Sequence, residues 1–163
     1  MYIMGVAGSG KSTIGIKLSE ATAIPFFDAD DFHPPANKEK MKAGKPLNDD
    51  DRKGWLSTIN ELAKENSQKS GAIIGCSALK EKYRIQLSKG IKSTVHWIIL
   101  QGCFSLIQQR MKARKDHFMP AGLLQSQFDT LETPAYAVVM DIKNDPDEIV
   151  ADIRRQLKFI DLT

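Results

Sequence analysis

Gly5-Val6-Ala7-Gly8-Ser9-Gly10-Lys11-Ser12 fits the pattern G-x-x-x-x-G-K-[ST]. No other feature restricts the fold of this chain as much. The pattern requires a strand before it and a helix after it, with a glycine turn between them whose backbone N–H groups point inward at an anion. The flanking residues satisfy that requirement. Tyr2 to Val6 is an apolar run that stops at glycine, and Ile14, Leu18 and Ala21 recur at i, i+4, i+7 beyond it. A chance match in a chain of this length is on the order of half a percent. The turn predicts a triphosphate ligand, with Gly8, Ser9, Gly10, Lys11, Ser12 and Thr13 around it. Lys11 is expected at the β and γ phosphates, Ser12 on Mg²⁺, and the positive end of the helix beneath the anion.

The rest of the chain repeats the alternation. Short apolar runs at 25–28, 72–76, 94–100 and 137–142 read as strands. Helical spacing follows at 48–67, from 76 to about 88, from about 104 to 114, and from Asp145 to the end, with a short helix possible at 36–43. Strands alternating with helices predict an α/β fold with a parallel sheet covered on both faces, and a ligand beyond the carboxyl ends of its strands. At 163 residues, without repeat, linker or low-complexity segment, the chain reads as one domain. The net charge of +3 implies neither nucleic acid nor an anionic membrane. Cys76 and Cys103 form no zinc set or disulfide framework. With no signal peptide and no apolar run of spanning length, a cytoplasmic protein is expected.

The class of P-loop protein follows from what else the sequence holds. The third strand ends in Cys76 and Ser77 instead of an aspartate, and no NKxD is present, which argues against a GTPase. A small-molecule kinase remains, and the carboxylate near Mg²⁺ must come from elsewhere. Asp28, at the end of the second strand, is the candidate, acting through water. Asp28 and Asp30 are two apart, and on an extended segment they point the same way. That suits Asp28 to the metal and Asp30 to the acceptor hydroxyl, whose proton a carboxylate can take. Asp31 points away. His33 either hydrogen-bonds a polyol or is a loop histidine held by Pro34 and Pro35. Arg110 and Arg114 are i, i+4 and precede KDHFMP, a polar segment suited to closing over phosphates. His96 reads as a sheet-face residue and His117 as surface.

Five blocks carry a family likeness: DxDxxHPxxNxxKM from Asp28, GKPLNDDDRKGWL from Gly44, CSALKEKYR from Cys76, ARKDHFMP from Ala113 and LLQSQFDTLE from Leu123. Over Gly5 to about Glu132 the sequence resembles the gluconate kinases of the small P-loop type, related to shikimate kinase. The resemblance implies the P-loop NTPase fold with sheet order 2-3-1-4-5, a substrate region at about 31–67 and a nucleoside-monophosphate-kinase-like lid at about 114–125. It implies ATP, Mg²⁺, transfer to the 6-hydroxyl of D-gluconate and a homodimer. Arg110 is then placed against adenine, near the 143–146 loop, and Arg114 at the transferring phosphate. With Lys11 and Asp30, Arg114 completes the catalytic set.

Gluconate carries a carboxylate and several hydroxyls, so its site needs a cation and polar groups. Arg52 lies on the first turns of the 48–67 helix. Ser77 is placed to cap the helix after strand 3, and Lys80 and Arg84 share a face of it. Arg52 and Arg84 are the first candidates for the acceptor, Lys80 next, with Asn37 and Lys40 behind His33. The alternative for each basic residue is a solvated side chain.

Overall fold

The computed structural model describes residues 1–113 and 121–160. Five parallel strands form one sheet in the order β2-β3-β1-β4-β5. They are β1 (Tyr2–Met4), β2 (Phe26–Asp28), β3 (Ile73–Gly75), β4 (Trp97–Gln101) and β5 (Val138–Asp141). The helices are α1 (Lys11–Thr22), α2 (Pro35–Lys42), α3 (Asp49–Ser67), α4 (Glu81–Ser88), α5 (Phe104–Ala113), α6 (Ala121–Thr130) and α7 (Pro146–Ile160).

Alternation along β1 splits the core in two. Tyr2 and Met4 face one side, where Trp55, Leu56 and Ile59 of α3 and Tyr83 and Leu87 of α4 cover them. Ile3 faces the other side, with Ile14 and Leu18 of α1 and Ile149 and Ile153 of α7. A strand buried on both faces needs the near-continuous apolar composition these runs have. Fully burying one such side chain contributes about 1.5–3 kcal/mol. Tyr2 stacks on Trp97 with ring centroids 4.5 Å apart. Gly15 lets α1 approach β2 closely, since a Cβ there would lie 2.1 Å from the Phe26 ring.

Register brings the functional segments to one edge. Asp28, the last residue of β2, pairs with Gly75 at the end of β3, and Met4 of β1 runs into the glycine turn. The α3 helix starts where the sequence places it, on a capping box of Asn48 and Asp51. Among the described residues no helix is long and apolar enough to cross a membrane.

Several expectations need correction. Strands 1 and 5 are shorter than their apolar runs, and strand 4 begins at Trp97 and reaches Gln101. The expected extended segment after Asp28 is a 3-10 turn, Ala29–Phe32, capped by the Asp28 side chain. Asp28 and Asp30 are therefore not related by strand alternation. Ser77 does not cap α4, which begins four residues later with Lys80 as its N-cap. The α6 helix was not expected. It follows Pro120 in the sequence; Leu124 and Phe128 lie i, i+4 within it, and Leu131, at i+7, comes just past its end.

Candidate active site

Leaving β1, the chain turns through Gly5, Gly8 and Gly10, all at positive φ. A Cβ on Gly5 would lie 2.8 Å from Leu100 O, and one on Gly8 2.6 Å from Met111 Cγ, so both positions require glycine. Gly10 is the N-cap of α1, with no side-chain cap bond and no acidic residue in the first turn. The orphan N–H groups of that turn and its positive end are therefore available to an anion. Ser9 Oγ is buried without a partner among the described residues. Lys11 Nζ folds back on the turn, donating to Gly5 O and Val6 O at 3.2 and 3.1 Å.

The acidic turn lies against this cradle. Ser12 Oγ donates to Asp28 Oδ2 at 2.6 Å, and Asp28 Oδ1 accepts from Asp30 N at 3.1 Å. A hydroxyl and a carboxylate so placed are hard oxygen donors. They suit Mg²⁺, which keeps several waters and takes few protein ligands. Asp30 is exposed, with Oδ1 3.8 Å from His33 Nε2. Asp31 is also exposed, its carbonyl accepting from Lys38 Nζ.

His33 is neither solvated nor merely held by its prolines. Its ring stacks on Trp55 at 4.2 Å, and Trp55 Nε1 donates to Ala29 O at 2.7 Å. Trp55 thus fastens both ends of the acidic turn to α3. Burial, then Arg52 and Lys38, push the His33 pKa down to about 4, so the ring is neutral at pH 7. Asn37 Nδ2 faces its Nδ1 at 3.4 Å and donates to Asp51 O at 2.7 Å. The proton of the neutral ring then sits on Nε2, towards Asp30.

Three cations gather about the Tyr83 ring. Arg52 donates to Leu47 O and to Asn48 O, and its guanidinium lies 5.4 Å from the centre of the Tyr83 ring. Lys80 and Lys82 approach the same ring at 5.9 and 5.6 Å. The Tyr83 hydroxyl donates to Asp49 at 2.6 Å, and Lys82 donates to the same carboxylate. Those two bonds hold the Asp49 pKa down at about 2. Lys40 pairs with Asp51 at 2.5 Å. Asp51 therefore caps α3 and binds Lys40, while Asp49 binds Lys82 and Tyr83.

Ser77 touches the cradle through its backbone, its carbonyl accepting from Gly5 N at 3.5 Å. Arg84 does not share a solvated face with Lys80. It is 1% exposed, and its guanidinium points inward. Arg110 donates to Ile142 O at 2.7 Å, beside the loop at 143–146. Arg114 and His117 lie outside the described residues. His96 sits just before β4, at the amino end of the sheet, away from the cradle. Two contacts were not anticipated: Gln127 Oε1 of α6 accepts from Ala7 N of the cradle at 2.6 Å, and Glu132 Oε2 accepts from Glu81 N at 2.6 Å. Both join residues 50 or more positions apart, and nothing in the local sequence signals them.

A phosphate cradle, a carboxylate beside its serine and a group of cations about Tyr83 suit phosphoryl transfer to a small anionic acceptor. The model of the shikimate kinase family matches residues 7–158. A curated Dictyostelium discoideum protein named probable gluconokinase is 46% identical, over 97% of this chain and 86% of its own length. The crystal structure of a gluconokinase from Sinorhizobium meliloti 1021 superposes with TM-score 0.83 at 38% identity, covering 97% of this chain and 94% of the other. A shikimate kinase from Aquifex aeolicus shares the fold, with TM-score 0.63 at 20% identity, over 99% and 97% of the two chains. On these matches, the chain belongs to the gluconokinase family, within the shikimate-kinase-like group of small P-loop kinases.

Proposed function

We propose that the protein transfers the γ-phosphoryl group of ATP to the 6-hydroxyl of D-gluconate. The observation that carries this reading is the contact of Ser12 with Asp28, which sets the acidic turn beside the phosphate cradle. The choice of acid rests on the relatives named gluconokinase, which align with nearly the whole chain.

Gly8 to Thr13 hold the triphosphate, with the Lys11 ammonium swinging from its carbonyls to the phosphates. Ser12, and Asp28 through water, would hold Mg²⁺, which would supply charge neutralisation on the phosphoryl oxygens. Asp30 accepts the proton of the acceptor hydroxyl. The freed oxygen bonds to the γ phosphorus as the bond to the bridging oxygen breaks, and ADP leaves with that electron pair. Neutral His33 offers its Nε2–H to Asp30 or to a substrate hydroxyl. Arg52 and Lys80 receive the carboxylate, with Ser77, Asn37 and Lys40 around the polyol. Arg110 lies along the base, and Arg114 serves the transferring phosphate. Residues 31–67 form the acceptor region, and the segment at about 114–125 serves as the lid over the phosphates, excluding water. The same reading makes the protein a cytoplasmic homodimer; its two free cysteines suit a reducing compartment.

A coupled assay of ADP release across sugar acids and shikimate tests the choice of acceptor. Turnover with gluconate above the others is expected, and turnover with shikimate alone would move the protein to its sister activity.

A further inference from the structure

Arg84 is 1% exposed, and an interior guanidinium persists only where its charge and its donors are met. Glu81 Oε2 meets the charge, accepting from Nη2 at 2.6 Å and from Nε at 3.0 Å. The Tyr136 hydroxyl accepts from Nε at 3.1 Å and itself donates to Glu81 at 2.9 Å. The remaining edge of the fork, Nη1, donates to the carbonyls of Ala78 at 2.7 Å and Leu79 at 3.2 Å.

Those carbonyls belong to a strained turn. Ala78 has φ +43°, a left-handed conformation that is strained for a non-glycine residue. It is 2% exposed and lies just past the carboxyl end of β3, where a sheet of this order binds its ligands. Other contacts hold the same turn: Gly5 N donates to Ser77 O, and Glu132 N donates to Leu79 O at 2.8 Å. The turn leads directly into Lys80, whose ammonium lies 5.9 Å from the centre of the Tyr83 ring and which the gluconate reading assigns to the acceptor.

We infer that Arg84 is a positioning residue for the acceptor: clamped by Glu81 and Tyr136, its guanidinium holds the Ala78 turn left-handed, which sets Ser77 and Lys80, and it does not touch the sugar acid. This builds on the gluconate reading and replaces the direct contact expected for Arg84 from sequence.

The test is a cycle of Arg84→Lys and Ala78→Gly, read as acceptor KM, ATP KM and melting temperature. Lysine keeps the charge but not the fork, and glycine adopts positive φ without strain. Arg84→Lys is expected to raise the acceptor KM about tenfold with ATP KM nearly unchanged, the scale of a lost charged hydrogen bond. In the Ala78→Gly background the same replacement should raise it about threefold or less, because the turn no longer needs forcing. An equal rise in both backgrounds, or a parallel rise in ATP KM, overturns the inference. Should Arg84→Lys fail to fold, Tyr136→Phe gives the same readout; Tyr136 is 54% exposed, and its loss should raise acceptor KM less, again relieved by Ala78→Gly. No change in acceptor KM with Tyr136→Phe would also overturn it. Wild-type turnover with gluconate is measured first. If another acid is the substrate, the gluconate reading falls, and the cycle is run with that acid.

Discussion

Ser12 Oγ donates to Asp28 Oδ2 across 2.6 Å, joining the first turn of α1 to the end of β2. The proposed chemistry depends on this junction, because it sets the acidic turn against the first turn of the helix that follows the glycine turn. Asp28→Asn keeps the shape and removes the charge. The Mg²⁺ concentration for half-maximal activity should rise about tenfold, the scale of one lost charge-assisted contact. Titrating Mg²⁺ at fixed ATP measures this, and an unchanged requirement would detach Asp28 from the cation.

Arg52→Ala should raise the gluconate KM by roughly 10- to 100-fold, as expected for a lost charged hydrogen bond, with ATP KM little altered. Steady-state kinetics with each substrate varied gives both values. An unchanged gluconate KM would place the carboxylate elsewhere.

His33 makes stability pH-dependent. Its folded pKa of about 4 lies below the ordinary 6.5, so between those values the unfolded chain binds more protons. Its contribution is therefore complete above about pH 6.5 and is lost as pH falls towards 4, by up to about 3 kcal/mol. Asp49 and Asp51, whose pKa values lie below the usual carboxylate range, act in a lower window. His33→Phe keeps a ring on Trp55 and should flatten the stability profile between pH 6.5 and 4.5 in urea unfolding. The same slope in both proteins would show that the imidazole is not buried as described.

Gln127 ties α6 to the cradle through Ala7 N. Gln127→Glu keeps an acceptor oxygen and adds a negative charge beside the triphosphate. ATP KM should rise about tenfold, and the rise should shrink in high salt as the repulsion is screened. An ATP KM independent of the substitution would mean that α6 leaves the cradle when nucleotide binds.

The cradle, the alternation of strands and helices and the start of α3 are legible because each has a local signature: glycine spacing, apolar runs, and aspartates ahead of a helical apolar face. The acidic turn was misjudged because its geometry depends on Asp28 capping a 3-10 turn and on Trp55 holding Ala29 from a helix far along the chain. For Arg84, two cations four residues apart look the same whether the helix face is solvated or buried. Only packing against Glu81 and Tyr136 decides it. The α6 helix did carry a signal, Leu124, Phe128 and Leu131 behind a proline. Its contacts through Gln127 and Glu132 are purely tertiary.

Asp30 offers the most direct test. Gluconate-dependent ADP release is measured for the wild type and for Asp30→Asn, with ATP affinity measured in parallel. The wild type should turn over gluconate and place the phosphate on the 6-hydroxyl. The variant should bind ATP equally well and turn over about 10²-fold more slowly, the usual scale for losing a general base. Near-normal turnover in Asp30→Asn, with ATP still bound, would contradict the account.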